Sequence, residues 1–78
     1  MDREVVKNKV VELIEELTDI PKEEIGEDSS LLDDLELSSF EIMSMFSDLE
    51  ECFDVSIEEK ELRDFVTVGD IADCICRS

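Results

Sequence analysis

Ser38 and Ser39 are the side chains of this sequence best placed to take part in chemistry. They lie in Asp33-Asp34-Leu35-Glu36-Leu37-Ser38-Ser39-Phe40-Glu41, between an acidic stretch and a strongly periodic one. Ser38 through Glu41 has the pattern of a capping box, with Ser38 as N-cap and Glu41 at N3, so the serines stand at a helix start. From Glu23 through Glu59 there are fourteen acidic residues and no basic one. A hydroxyl at a helix mouth inside such a field suits attachment of a cofactor and recruitment of basic partners. It does not suit a nucleophile working for the chain itself. A serine nucleophile needs a base, the sequence contains no histidine, Lys22 and Lys60 are remote, and the surrounding carboxylates oppose an alkoxide.

Charge narrows the partners further. The formal charge is −17, from 24 acidic and 7 basic side chains. Nucleic acid and anionic lipid would be repelled, proteins with Lys/Arg patches attracted, and a second copy of the chain kept away, so a monomer is expected. Cys52, Cys74 and Cys76 are an odd number with no C-x-x-C pair. Without histidine they complete neither a metal set nor a Cys/His dyad, and reduced thiols with no metal site are expected. The acidic loop lacks EF-hand spacing. It suits at most weak, nonspecific cation binding near Asp33, Asp34 and Glu36. Carboxylate pairs of the glycosidase kind have no specificity among so many acids. An enzyme is not expected.

The elements that position the serines follow from periodicity. Seventy-eight residues make one small domain, residues 1–78, with little core to spare. No apolar run after Met1 looks like a secretion signal and none approaches a membrane span, which points to a cytoplasmic protein. Apolar residues are 42% of the chain, and Pro21, Gly26 and Gly69 are its only Pro or Gly. Few breakers and clear helical spacing predict an all-α fold. The first helix is expected from about Asp2 to Leu17, with Val6, Val10, Leu13, Ile14 and Leu17 inward and Glu12, Glu15 and Glu16 in water. A long connection, Thr18 to Leu37, follows. Pro21 can open a short turn there, with Ile20, Ile25, Leu31, Leu32 and Leu35 pinning the connection to the core. In the second helix Ile42, Phe46, Leu49 and Phe53 form a core stripe. Ser56 to Glu59 can open a short third helix carrying Leu62. Thr67-Val68-Gly69-Asp70 is a second capping box, starting a last helix whose Val68, Ile71, Ala72 and Ile75 share a face.

Phe40 and Met43 fall beside the core stripe. They either widen the buried face, as Phe and Met usually do, or form an exposed apolar patch ringed by Glu41, Asp48, Glu50 and Glu51, the mark of a protein interaction site.

Taken in order and spacing, several pieces resemble the acyl carrier protein family over nearly the whole chain. They are Leu31-Leu32-Asp33-Asp34-Leu35, Ser39 four residues after Leu35, Leu49-Glu50-Glu51-Cys52-Phe53, Phe53-Asp54-Val55-Ser56-Ile57, and Thr67-Val68-Gly69-Asp70-Ile71. The resemblance implies a small four-helix bundle with a long first loop and a short third helix. By position it implies a 4′-phosphopantetheine arm, donated by coenzyme A, on Ser39, with Ser38 the runner-up. It implies that the arm's thiol, not the cysteines, bears acyl groups as thioesters. It makes Phe40, Glu41, Met43, Ser47, Asp48 and Glu51 the partner-facing residues and Ile42, Phe46 and Leu49 the lining of an acyl pocket, with Met45 also inward. Expected partners are a phosphopantetheinyl transferase and the acyl-transferring or synthase enzymes of fatty-acid, polyketide or related biosynthesis, bearing basic docking patches. Two departures stand at the site, Glu36 where the family has glycine and Ser38 where it has aspartate; they suit a specialised carrier. A peptidyl or aminoacyl carrier, and an unmodified acidic adaptor binding a basic protein through Phe40 and Met43, are the alternatives.

Overall fold

The computed structural model describes residues 2–62 and 65–77, Glu59 and Leu62 by backbone alone. It is all-helical in the order α1 (Arg3–Thr18), a 3₁₀ turn (Lys22–Glu24), α2 (Ser39–Phe53), α3 (Glu59–Leu62) and α4 (Val68–Arg77). α1 packs against α4, against α2 and against the 3₁₀ turn. α3 is one turn, as expected after Ser56, and the Leu62 side chain expected on it lies outside the described residues.

Each long helix begins where a side chain can take an orphaned backbone N–H. Asp2 accepts from the Glu4 N–H at 3.0 Å to start α1. At α4 the Asp70 N–H donates to Thr67 Oγ1 at 3.3 Å while Asp70 Oδ2 accepts from Thr67 and Val66 N–H at 3.1 and 3.0 Å. α1 and α2 end at Asp19 and Asp54, both left-handed, each donating back to the helix. Aspartate tolerates that conformation better than most residues.

One core joins the helices. Val6, Val10, Leu13 and Ile14 of α1, Met45, Phe46 and Leu49 of α2, and Val68, Ile71, Ala72 and Ile75 of α4 are all buried. Of the other expected core residues, Ile20, Ile42 and Phe53 are partly buried against it, and two are exposed. Leu17 is 37% exposed: the chain reverses just beyond it at Asp19, and Ile20 and Ile25 pack on the core instead. Leu32 is 63% exposed. It adjoins Leu31 in a tight turn, and Leu31 takes the inward position because its N–H is fixed to Val66 O at 2.9 Å. Val11, Leu37 and Cys74 are buried without having been expected there.

The long connection is held by backbone bonds rather than regular structure. Ser30 O accepts from Asp34 and Leu35 N–H, Leu31 O accepts from Leu37 N–H, and Ser29 O and Glu27 O accept from Val68 and Gly69 N–H at the start of α4. Ser30 and Thr67 form an isolated antiparallel bridge. Arg3 ties the same region from the other side, pairing with Glu27 of the connection and with Asp73 of α4. A Cβ on Gly69 would sit 3.3 Å from Glu27 O, a tight contact that glycine avoids and that any other residue would relieve only by pushing the connection slightly outward. Glu15, expected in water, is half-buried and accepts from Lys22 N–H at 2.9 Å, which fixes the 3₁₀ turn to α1.

The Val66 and Thr67 N–H groups hold the Asp70 carboxyl below its ordinary value of 3.8, against the opposing effect of burial. The folded protein therefore binds this proton less tightly than the unfolded chain. The stabilisation is fully present above the unfolded-state pKa near 3.8 and fades as pH falls through the lower folded-state value. Asp70→Asn should lose about 1 kcal/mol at neutral pH, and its deficit relative to wild type should shrink below about pH 4. Urea unfolding of both chains across pH 3–7 checks this; a deficit constant with pH would contradict it.

Candidate functional site

Leu37 enters α2 buried, so the two hydroxyls that follow emerge at the rim of the core rather than inside it. Both serines are exposed, yet they do different work. Ser38 is the N-cap: its Oγ accepts from Glu41 N–H at 3.2 Å, its own N–H donates to Glu41 Oε1 at 2.9 Å, and its carbonyl accepts from Ile42 N–H at 3.0 Å. The expected capping box is present in full. Ser39 is the first helical residue, and among the described residues its Oγ has no hydrogen-bond partner. The N–H groups of Ser39 and Phe40, in the first turn, precede any intrahelical acceptor. A free hydroxyl, free N–H groups and the positive end of a helix dipole meet at this point.

The approach to the helix is strained at one residue. Glu36 has φ 53°, in the left-handed region that costs a non-glycine residue roughly 1–2 kcal/mol. This is the position at which the sequence departs from the glycine of the carrier pattern, and the backbone there has the conformation glycine favours.

From Ser39 the helix presents two faces. Phe40 is 81% and Met43 53% exposed, which decides the question the sequence left open in favour of a surface patch. Ser47, Asp48 and Glu51 are exposed further along α2. Glu41, half-buried, is committed to the cap. Inward lie Ile42, partly buried against the core, then Met45, Phe46 and Leu49. Phe46 stacks on Phe65, with ring centroids 5.1 Å apart and planes 28° from parallel. Phe65 escaped the sequence reasoning because it belongs to no periodic segment; only the fold brings it to α2.

Among the described residues, no group of three or more His, Cys, Asp or Glu side chains is arranged to hold a metal ion. Burial, with Glu61 beside it, pushes the Cys74 thiol up, and Cys74 Sγ lies 3.6 Å from Glu61 Oε2. It is a protonated thiol rather than a reactive thiolate. A surface groove lined by Val5, Asn8, Lys9, Glu12, Cys52 and Phe53 lies at the opposite end of α2 from the serines. No helix among the described residues is long and apolar enough to cross a membrane.

Comparison with known proteins bears on this site. Residues 8–75 match the family model described as a phosphopantetheine attachment site. An acyl carrier protein of Borreliella burgdorferi is 39% identical over 75 residues, covering 96% of this chain and 94% of that one. One from Thermotoga maritima is 32% identical over 73 residues, covering 94% and 90%. The structure of the acyl carrier protein from Enterococcus faecalis superposes with a TM-score of 0.85 at 30% identity, over 99% of this chain and 98% of the other.

The two serines should separate in stability measurements. Ser38→Ala removes the cap and should cost about 1 kcal/mol. Ser39→Ala, at an exposed position where alanine is a good helix former, should stay within about 0.5 kcal/mol of wild type. Urea melts of the unmodified chains, followed by circular dichroism, distinguish them; equal losses would mean the cap is wrongly assigned.

Proposed function

The chain belongs to the acyl carrier protein family, with its phosphopantetheine attachment site, and from that premise we propose that Ser39 is the residue to which 4′-phosphopantetheine is joined. One observation carries the choice of Ser39 over Ser38. Ser38 Oγ is occupied by the Glu41 N–H, whereas Ser39 Oγ is exposed and has no hydrogen-bond partner among the described residues. The group fits the residues present. A phosphodiester on Ser39 meets the first-turn N–H groups and the helix dipole, which offset part of the repulsion from Glu36 and Glu41.

When bound, the arm supplies a thiol that holds an acyl group as a thioester. The chain's own residues tether, steer and release. Asp33, Asp34, Glu36, Asp48 and Glu51 draw in enzymes with basic patches: a phosphopantetheinyl transferase first, then acyl-transferring or synthase enzymes of fatty-acid, polyketide or related biosynthesis. Steering of this kind raises association rates without tight binding, as a carrier that must leave each partner requires. Phe40 and Met43 are the apolar anchor of the docking face, and Glu41 and Ser47 lie beside them. Ile42, Phe46 and Leu49 are the inward wall nearest the tether. The protein is thus a tethered substrate for other enzymes, working in the cytoplasm as a monomer, with residues 1–78 as one carrier domain and α3 as the fourth member of its helical bundle.

Intact mass tests the attachment. Incubated with coenzyme A and a transferase, the wild-type chain and Ser38→Ala should gain one arm, and Ser39→Ala none. No gain in the wild type would leave an unmodified acidic adaptor. Docking is tested separately. Covering Phe40 contributes roughly 1.5–3 kcal/mol, a rim ion pair roughly 0–1 kcal/mol. Phe40→Ala should therefore weaken binding to a partner enzyme more than Glu41→Gln, which keeps the capping box and should mainly lower the association rate and its salt dependence. Equal losses in binding kinetics at two ionic strengths would contradict that ranking.

A further inference from the structure

A tethered apolar chain has two places to go: into the core beside its tether, or outward. On α2 the way inward from Ser39 runs along one face, to Ile42 and then to Phe46, one and two turns on. Ile42 is partly buried, and Phe46 is only 2% exposed. At Phe46 the way meets a second ring, because Phe65 stacks on it at 5.1 Å between centroids. Phe65 is anchored on its C-terminal side. The next residue, Val66, gives its carbonyl to Leu31 N–H and its N–H to Asp70 Oδ2, and Thr67 N–H donates to the same carboxylate. The Thr67–Asp70 cap that starts α4 thus also holds Phe65 over α2.

We infer that the Phe46–Phe65 stack closes the interior beside Ser39, so that acyl cargo on this carrier stays outside the helices. The inference rests on Ser39 being the attachment residue and adds a cargo class to it: short or polar acyl groups, and longer ones only while a partner enzyme covers them. Two rings in contact leave a saturated chain no room without parting them, and a close-packed core resists added volume. Replacing Phe65 with a smaller side chain removes one ring and opens the way.

The full-length chain can be loaded by a transferase with acetyl- or octanoyl-bearing arms, loading being verified by intact mass. In the wild type the acetyl and octanoyl forms should melt within about 1 °C of each other. In Phe65→Ala, and more weakly in Phe65→Leu, the octanoyl form should melt about 5 °C or more above the acetyl form, as the chain fills the vacated space. Should the alanine variant not fold, the leucine variant and a wild-type NMR measurement decide. Carbon-13-labelled octanoyl should show no nuclear Overhauser contacts to the Phe46 and Phe65 rings. Such contacts, or an octanoyl-dependent rise in wild-type melting equal to that of the variants, would overturn the closed interior. Failure of loading at Ser39, seen as no gain of mass, would remove the attachment and this inference with it.

Discussion

The reciprocal bonds between Ser38 and Glu41 fix the residue at which α2 begins, and the rest of the site follows from that register. A helix turns about 100° per residue. Starting one residue earlier or later would leave the core stripe in place only by rotating the serines. With Ser38 as cap, Ser39 emerges at the rim with a hydroxyl that has no partner among the described residues, Phe40 and Met43 face outward, and Ile42, Met45, Phe46 and Leu49 face the core. Cap and tether are neighbouring residues of the same type, and hydrogen bonding separates their roles.

The second constraint is charge. Fourteen carboxylates between Glu23 and Glu59 with no cation among them destabilise a small bundle by self-repulsion while steering basic partners toward it. The structure answers by giving several carboxylates backbone partners. Glu15 takes the Lys22 N–H, Glu50 the Ile57 N–H, Asp34 the Ser30 N–H and Asp70 those of Val66 and Thr67. Charge-assisted bonds of this kind are stronger than neutral ones; here three of the four carboxylates hold loops to helices and Asp34 closes a turn within the first loop. Arg3 adds a cation that bridges the first loop and α4.

What was legible in the sequence is what local periodicity and capping decide. The all-helical class, both capping boxes, the inward faces of α2 and α4, and the 3₁₀ turn after Pro21 stand where composition and spacing put them. What was not legible depends on contacts between distant segments. Of the adjacent Leu31 and Leu32, the one that turns inward is the one whose N–H is bonded to the distant Val66 carbonyl. Leu17 continues the α1 stripe in sequence, but the reversal at Asp19 puts Ile20 and Ile25 on the core in its place. Phe65 sits in no helix, and it stacks on Phe46 from beside the start of α4, which is tied to the first loop. At Glu36 a residue with no intrinsic liking for the left-handed region occupies it, so the backbone is dictated by the loop anchors on either side and not by the residue.

The division of labour between the two serines is the central claim, and it can be examined on the unmutated protein. The arm-bearing chain, fragmented along its backbone in a mass spectrometer by a method that leaves the phosphodiester intact, places the added mass on one side or the other of the Ser38–Ser39 bond. The account predicts that every site-determining fragment puts it on Ser39. Fragments that carry it on Ser38 would mean that the capping hydroxyl is the tether, and that the α2 start described here is not the one the transferase meets.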